Sequence, residues 1–168
     1  ILRDAGVPKG GFYYYFSSKT EFGLELVRAY DSYFTGKLDK WLLNKDLNPL
    51  DRIRHFTIDA EAGMARYDYK RGCLVGNLGQ EMGALPEAFR DRLIGVLDGW
   101  ANRTAICLEA AQSAQEIAAH HHTKALADMF WIGWEGAVLR AKLDRSPDAL
   151  RQFADQFFIL ISNEGTTQ

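Results

Sequence analysis

The sequence predicts an all-α protein. Apolar residues recur at helical spacing along most of the chain. Prolines and cap-type residues divide those stretches at helix-like lengths, and no alternating strand pattern is followed by a hairpin signal. No internal repeat of solenoid period is visible. Ser18-Lys19-Thr20-Glu21 reads as a capping box, in which the Ser18 hydroxyl accepts from the Glu21 amide and the Glu21 side chain reaches back. It opens a long helix from about Lys19 to Leu43, with Phe22, Leu26, Val27, Tyr30, Tyr33, Phe34, Leu38 and Trp41 at helical spacing. Asn48 as N-cap with Pro49 in the first turn opens a helix through about Tyr67, carrying Ile53, Phe56, Ile58, Ala60 and Met64. A shorter helix is expected around Cys73 to Met82. Pro86 opens another, whose inner side takes Phe89, Leu93, Val96, Leu97, Trp100, Thr104, Ile106, Leu108 and Ala111. Residues 118–123 read as a loop, with Thr123 as the expected cap of a helix from Lys124 to Leu143. Ser146-Pro147 starts a last helix ending near Asn163.

Composition bounds the function. A chain of 168 residues, 47% hydrophobic and 12% aromatic, builds one globular core, with room for a small appendage. With 20 Lys+Arg against 22 Asp+Glu the net charge is −2, which excludes a wholly basic nucleic-acid binder. A small basic element within a neutral protein stays open, because phosphate contacts need only local charge. The longest uncharged runs, residues 10–18 and 72–80, fall far short of the ~20 apolar residues of a membrane span. Ile1 to Val7 carries Arg3 and Asp4 and does not read as a signal peptide. Cys73 and Cys107 are too few for a disulfide framework and point to a reducing, cytoplasmic setting. The chain opens at Ile1 and reaches Ala5-Gly6-Val7-Pro8 almost at once, which reads as the end of a helix begun upstream.

The most informative stretch is residues 3–22, Arg-Asp-Ala-Gly-Val-Pro-Lys-Gly-Gly-Phe-Tyr-Tyr-Tyr-Phe-Ser-Ser-Lys-Thr-Glu-Phe. Gly6 suits a helix end, where positive φ costs little, and Pro8 suits the first turn of a second helix, Lys9 to Phe16. Two glycines lower that helix's intrinsic stability by roughly 1 kcal/mol each, so close backbone approach to something must compensate. Phe12 and Phe16, four apart, turn inward. Lys9, Gly10, Gly11, Tyr13, Tyr14 and Tyr15 are left outward, a set that suits a DNA groove because hydroxyls and an ammonium reach phosphates. Residues 1–20 carry +2 and the remainder −4, a positive tip on an acidic body.

This stretch resembles the second half of the helix-turn-helix of TetR-family transcriptional regulators, with Gly11 where Ser is usual. The resemblance implies base contacts from Lys9, Gly10, Gly11 and Tyr13, and phosphate contacts from Tyr14, Tyr15 and Lys19. It divides the chain at 1–43, the end of the DNA-binding domain with its connecting helix, and 44–168, a ligand-binding and dimerisation domain. It further implies double-stranded operator DNA and a small-molecule effector as partners, repression as the mode, and no enzymatic activity.

In the second half, glycines at 72, 76, 79 and 83 fall on one face if the segment is helical. Either a tightly packed helix or a ligand approaches that face. Cys73, near a helix start and beside Arg71, is expected to have a lowered pKa; a small buried hydrophobe is the other reading. The segments around Gly72-Cys73-Leu74 and Ala141-Lys142-Leu143 resemble the branch of the family that responds to N-ethylmaleimide and to acrylate. That likeness makes Cys73 and Lys142 a candidate sensing pair, an ammonium favouring the thiolate. Gly76, Asn77 and Gln80 are the pocket-side residues by the same likeness, and Trp100 and Trp134 are aromatic candidates for the effector site. Cys107, seven after Trp100, reads as core. His120, His121 and His122 are consecutive and diverge in any regular element, so no metal site is expected, nor any cofactor; His55 reads as structural.

Residues 129–139 and 153–161 are apolar almost all round. A helix hydrophobic on every side must be buried on every side, which predicts a two-fold, four-helix dimer interface, with Gly133, Gly136 and Ala137 allowing close approach; Trp134 and Glu135 facing the pocket, or a stripe that is core within one chain, are the alternatives. The competing reading is an all-α enzyme or binding protein acting on acyl or electrophilic compounds through Cys73. No H-E-x-x-H, G-x-S-x-G, Walker A or G-x-G-x-x-G motif supports it.

Overall fold

The computed structural model describes residues 9–162, and the expected turn from Ala5 to Pro8 lies outside them. Among the described residues there are seven helices: α1 Lys9–Tyr15, α2 Lys19–Leu42, α3 Pro49–Ala65, α4 Leu74–Gln80, α5 Glu87–Ser113, α6 Thr123–Asp144 and α7 Asp148–Ile161. No strand is named among them; one isolated bridge joins Ile117 to Ser162. The all-α expectation holds, and each predicted helix exists.

The ends show how the sequence sets the boundaries. Ser18 Oγ accepts from the Glu21 amide at 3.1 Å. Glu21 reaches back one residue further than a capping box requires, its carboxylate accepting from the Ser17 amide and hydroxyl, each at 2.6 Å. Asn48 makes no side-chain cap. Glu116, from the α5–α6 connection, takes that role by accepting from the Leu50 amide at 2.8 Å. Thr123 is not the cap of α6: His122 is, with Nδ1 accepting from the Ala125 amide at 3.2 Å. The C-terminus of α6 closes on Arg145 in the left-handed region, and the Ser146 amide bonds the Ala141 carbonyl at 3.3 Å.

The body packs α5 against α6 and α2, α6 against α7, and α3 against α2 and α5. Its centre is aromatic. Trp100 is fully buried, with ring centroids of Phe34 at 4.4 Å and Trp131 at 5.2 Å. The polar tips are satisfied: Trp100 Nε1 donates to Asp31 at 3.1 Å and Trp131 Nε1 to the buried Thr104 hydroxyl at 3.0 Å. Trp100 thus fastens α5 to α2. Cys107 is core as expected: it is buried, its thiol donates to the Pro49 carbonyl at 3.3 Å, and burial pushes its pKa up to about 11.

Candidate functional site

The first part of the site is α1. Phe12 and Phe16 turn inward and stack edge-on against Phe22 of α2, at 5.4 and 4.9 Å between centroids. That leaves Tyr13, Tyr14 and Tyr15 at 64%, 83% and 70% exposure, a row of hydroxyl-bearing rings outside the aromatic anchor. Such exposure of three consecutive tyrosines is costly unless a partner uses them. Lys19 is exposed at the first position of α2, on the same end of the molecule.

The second part is an open cavity of about 310 Å³ lined by four structural units. Helix α2 supplies Tyr30, Tyr33, Phe34 and Lys37; α3 supplies Ala60, Gly63 and Met64; α6 supplies Trp134, Glu135 and Val138. The turn before α4 supplies Tyr67, Arg71, Gly72 and Cys73. The volume suits a small organic molecule. The rim is the exposed side, with Tyr33, Tyr67 and Arg71, whose guanidinium lies 4.1 Å over the Tyr67 ring. The inner wall holds Trp134 and Cys73, both buried.

Cys73 caps α4, its sulfur accepting from the Gly76 amide at 3.4 Å. The expected lowering of its pKa is reversed. Burial pushes the thiol well above the ordinary cysteine value, the Glu135 carboxyl beside it pushes the same way, and the Gly76 amide and Tyr30 hydroxyl oppose them only in part. Lys142 does not supply the balancing charge: its ammonium donates to Asn77 Oδ1 at 2.7 Å, while its alkyl stem lies over Gly72.

The glycine stripe is also shorter than expected, because α4 spans only Leu74–Gln80 and leaves Gly72 and Gly83 outside it. At Gly76 close approach is real: a Cβ there would collide with the Glu135 carboxylate. Gly79 and Gly83 have open space instead. Of the other candidates, Trp134 lines the cavity, Gln80 is exposed away from it, and Trp100 sits behind Phe34 in the core. Trp134 and Glu135 take the alternative that the sequence left open for them and line the cavity, and Tyr30 is the pocket residue that motif reading passed over, because it reads only as one of the apolar positions of α2.

An exposed short helix is thus joined by one long helix to a cavity-bearing helical body. The chain belongs to the TetR family of transcriptional regulators: residues 49–157 match the family described as Tetracyclin repressor-like, C-terminal domain. It is 57% identical over 157 residues, 94% of this chain and 72% of the relative, to the transcriptional regulator AcuR of Cereibacter sphaeroides. Its fold is similar to the crystal structure of regulatory protein TetR from Rhodobacter sphaeroides, with TM-score 0.93 and 56% identity, covering 95% of this chain and 85% of that one. It is similar also to reduced NemR of Escherichia coli, with TM-score 0.84 and 26% identity, covering 98% and 86%. Such relatives are named as transcriptional regulators and repressors, not enzymes. No described helix is long and apolar enough to cross a membrane.

Proposed function

We propose that this regulator is a repressor: a homodimer that holds operator DNA through paired copies of α1 and releases it when a small molecule fills the cavity beside Cys73. In this reading residues 1–43 belong to the DNA-binding end and its connecting helix, and 44–168 to effector binding and dimerisation. Lys9, Gly10, Gly11 and Tyr13 face bases, and Tyr14, Tyr15 and Lys19 face phosphates. One observation carries the proposal. Helix α2 touches both parts, its Phe22 anchoring α1 and its Tyr30, Tyr33, Phe34 and Lys37 walling the cavity. A ligand that repositions this helix changes the separation of the two recognition helices, and differential affinity for the two arrangements is what shifts the population.

The thiol arm of the sensing idea is the weaker one on these grounds. A buried, proton-holding cysteine is a poor nucleophile. Reversible binding is therefore the preferred effector mode, with Gly76, Asn77 and Lys142 acting through the Lys142–Asn77 hydrogen bond and the Gly76–Glu135 contact between α4 and α6 rather than through a thiolate–ammonium pair.

The test uses the full-length protein and a duplex selected from a random-sequence pool. Binding should weaken steeply with salt, and Tyr13→Ala should reduce affinity by about 1–3 kcal/mol if Tyr13 reads a base. Undiminished binding by the double variant Tyr13→Ala, Tyr14→Ala would sink the assignment of α1.

A further inference from the structure

The wall of the cavity and the helix that carries α1 meet at one buried indole. Phe34 of α2 lines the cavity, and behind its ring, at 4.4 Å between centroids, lies Trp100 of α5. Trp100 is fully buried and does not line the cavity itself; Tyr30 at 6.4 Å and Trp131 at 5.2 Å close it in further. A ring in a close-packed interior has little room to absorb the displacement of a neighbour, and passes it on.

The indole has one polar handle, and that handle is fixed. Nε1–H donates to Asp31 Oδ1 at 3.1 Å, from α5 across to α2. The same oxygen accepts from the Thr35 hydroxyl at 3.2 Å, and Oδ2 faces the Arg92 guanidinium at 3.5 Å. Helix α2 thus grips Trp100 at two nearby points, ring against ring at Phe34 and by hydrogen bond at Asp31. A second tie between the same helices, Arg103 to Asp39 at 3.0 Å, lies on the other side of Phe34. Of these two ties Asp31 is the nearer to α1, about 13 Å along the helix from Phe22.

We propose that Trp100 is a positioning residue for release: a ligand that displaces Phe34 tilts the indole, and the Trp100–Asp31 bond turns that tilt into movement of α2 against α5 on the side that carries α1. The proposal rests on the effector reading of the cavity and names the contact through which occupancy reaches the duplex. Trp100 acts only through Phe34 and Asp31.

Gly63→Leu fills the cavity from α3, at a position where a Cβ would approach only the Lys37 ammonium, at 3.7 Å. Affinity of the full-length protein for a duplex selected from a random-sequence pool is measured with and without this substitution in four backgrounds. In the wild type Gly63→Leu should weaken binding by about tenfold, a typical coupling between sites. Trp100→Phe keeps an aromatic ring and loses the donor; there Gly63→Leu should change affinity by less than about twofold, the additivity of uncoupled sites. Asp31→Leu removes the acceptor from the other side and should behave in the same way. Asp31→Asn keeps Oδ1 and gives up the charge that faces Arg92, and should retain the tenfold effect. Circular-dichroism melting shows that each variant is folded, and Asp31→Leu, at a half-buried position, carries the same prediction if Trp100→Phe melts without cooperativity. A purely structural role would lower the thermal midpoint and leave the effect of Gly63→Leu equal in every background. That result, or loss of the effect in Asp31→Asn, overturns the proposal and leaves the effector reading standing. An effect missing already in the wild type overturns both, while duplex binding by the unsubstituted protein reports separately on the regulator reading.

Discussion

Cys73 shows how one residue's chemistry depends on what the fold puts beside it. By local sequence it neighbours Arg71 and begins a helix, two features that normally favour a thiolate. In the folded chain Arg71 turns to Tyr67, and the nearest ionisable groups to the sulfur are Glu135 and Tyr30, 62 and 43 positions away in the numbering. Both are acids, and burial dominates both effects. The expected outcome is a sluggish thiol: alkylation of Cys73 by iodoacetamide at pH 7.5, followed by mass spectrometry, should be at least about tenfold slower than for free cysteine. Its rate should keep climbing with pH beyond 9, where an ordinary thiol has levelled off. Cys73→Ser retains an N-cap acceptor and should melt close to wild type, whereas Cys73→Ala should cost about 0.5–2 kcal/mol through loss of the α4 cap. Rapid modification at neutral pH would show that the cavity opens far enough to rehydrate the sulfur. The presence of Cys73 at a helix start was legible in the sequence. Its reversed electrostatics was not, because they come from contacts between α4, α2 and α6.

Helix boundaries were mostly legible for a reason confined to each element. Pro49, Pro86 and Pro147 cannot continue a preceding helix, and Ser18 can cap the next, so the signals sit inside the segments they delimit. Where the partner comes from elsewhere, local reading fails: Glu116 caps α3 from across the molecule, and His122 displaces Thr123 at α6 because its ring nitrogen reaches the Ala125 amide. Glycine roles divide the same way, and α5 offers a controlled comparison. A Cβ at Gly23 of α2 would lie 2.5 Å from Cζ and 3.1 Å from Cε1 of Phe89, a buried ring at the start of α5. At Gly95, within α5, it would meet nothing within 4 Å. Gly23 is next to Phe22, so consecutive residues of α2 hold α1 on one side and the body on the other. Gly95→Ala should stabilise the protein by about 0.5–1 kcal/mol through helix propensity. Gly23→Ala gains the same propensity but must evict the Phe89 ring, an overpacking cost of about 1–3 kcal/mol, and should lower the thermal midpoint. The same substitution should also alter duplex affinity, which Gly95→Ala leaves unchanged. Equal stabilisation by both would mean that Phe89 swings aside freely and that α2 and α5 are not locked at this point.

At the scale of the whole molecule the unresolved apolar balance lies on α6 and α7. Their inner faces fill the core: Phe130, Trp131 and Trp134 from one, Phe157, Phe158 and Ile161 from the other. Gly133 is used within the chain, its notch filled by the Phe153 ring of α7. Gly136 has open space, and on the same side Ile132 and Leu143 are 77% and 70% exposed, with Ile159 and Leu160 of α7 at 61% and 58%. Isolated exposed hydrophobics need no explanation, but a set shared by two packed neighbouring helices is the kind of surface that a second copy covers. A two-fold axis there would make a four-helix contact and join both α1 helices in one molecule, so that each copy's affinity for half of an operator multiplies rather than adds. Ile132→Glu places a charge where that contact would desolvate it, and the variant should sediment as a monomer at micromolar concentration. Its duplex affinity should fall by roughly a hundredfold or more, although each recognition helix is untouched. Leu43→Glu at the end of α2, a position 62% exposed and outside α6 and α7, should change neither property and controls for surface charge. A wild-type protein that sediments as a monomer, or an Ile132→Glu variant that keeps full duplex affinity, would separate DNA recognition from dimerisation and leave the exposed apolar set to some other partner.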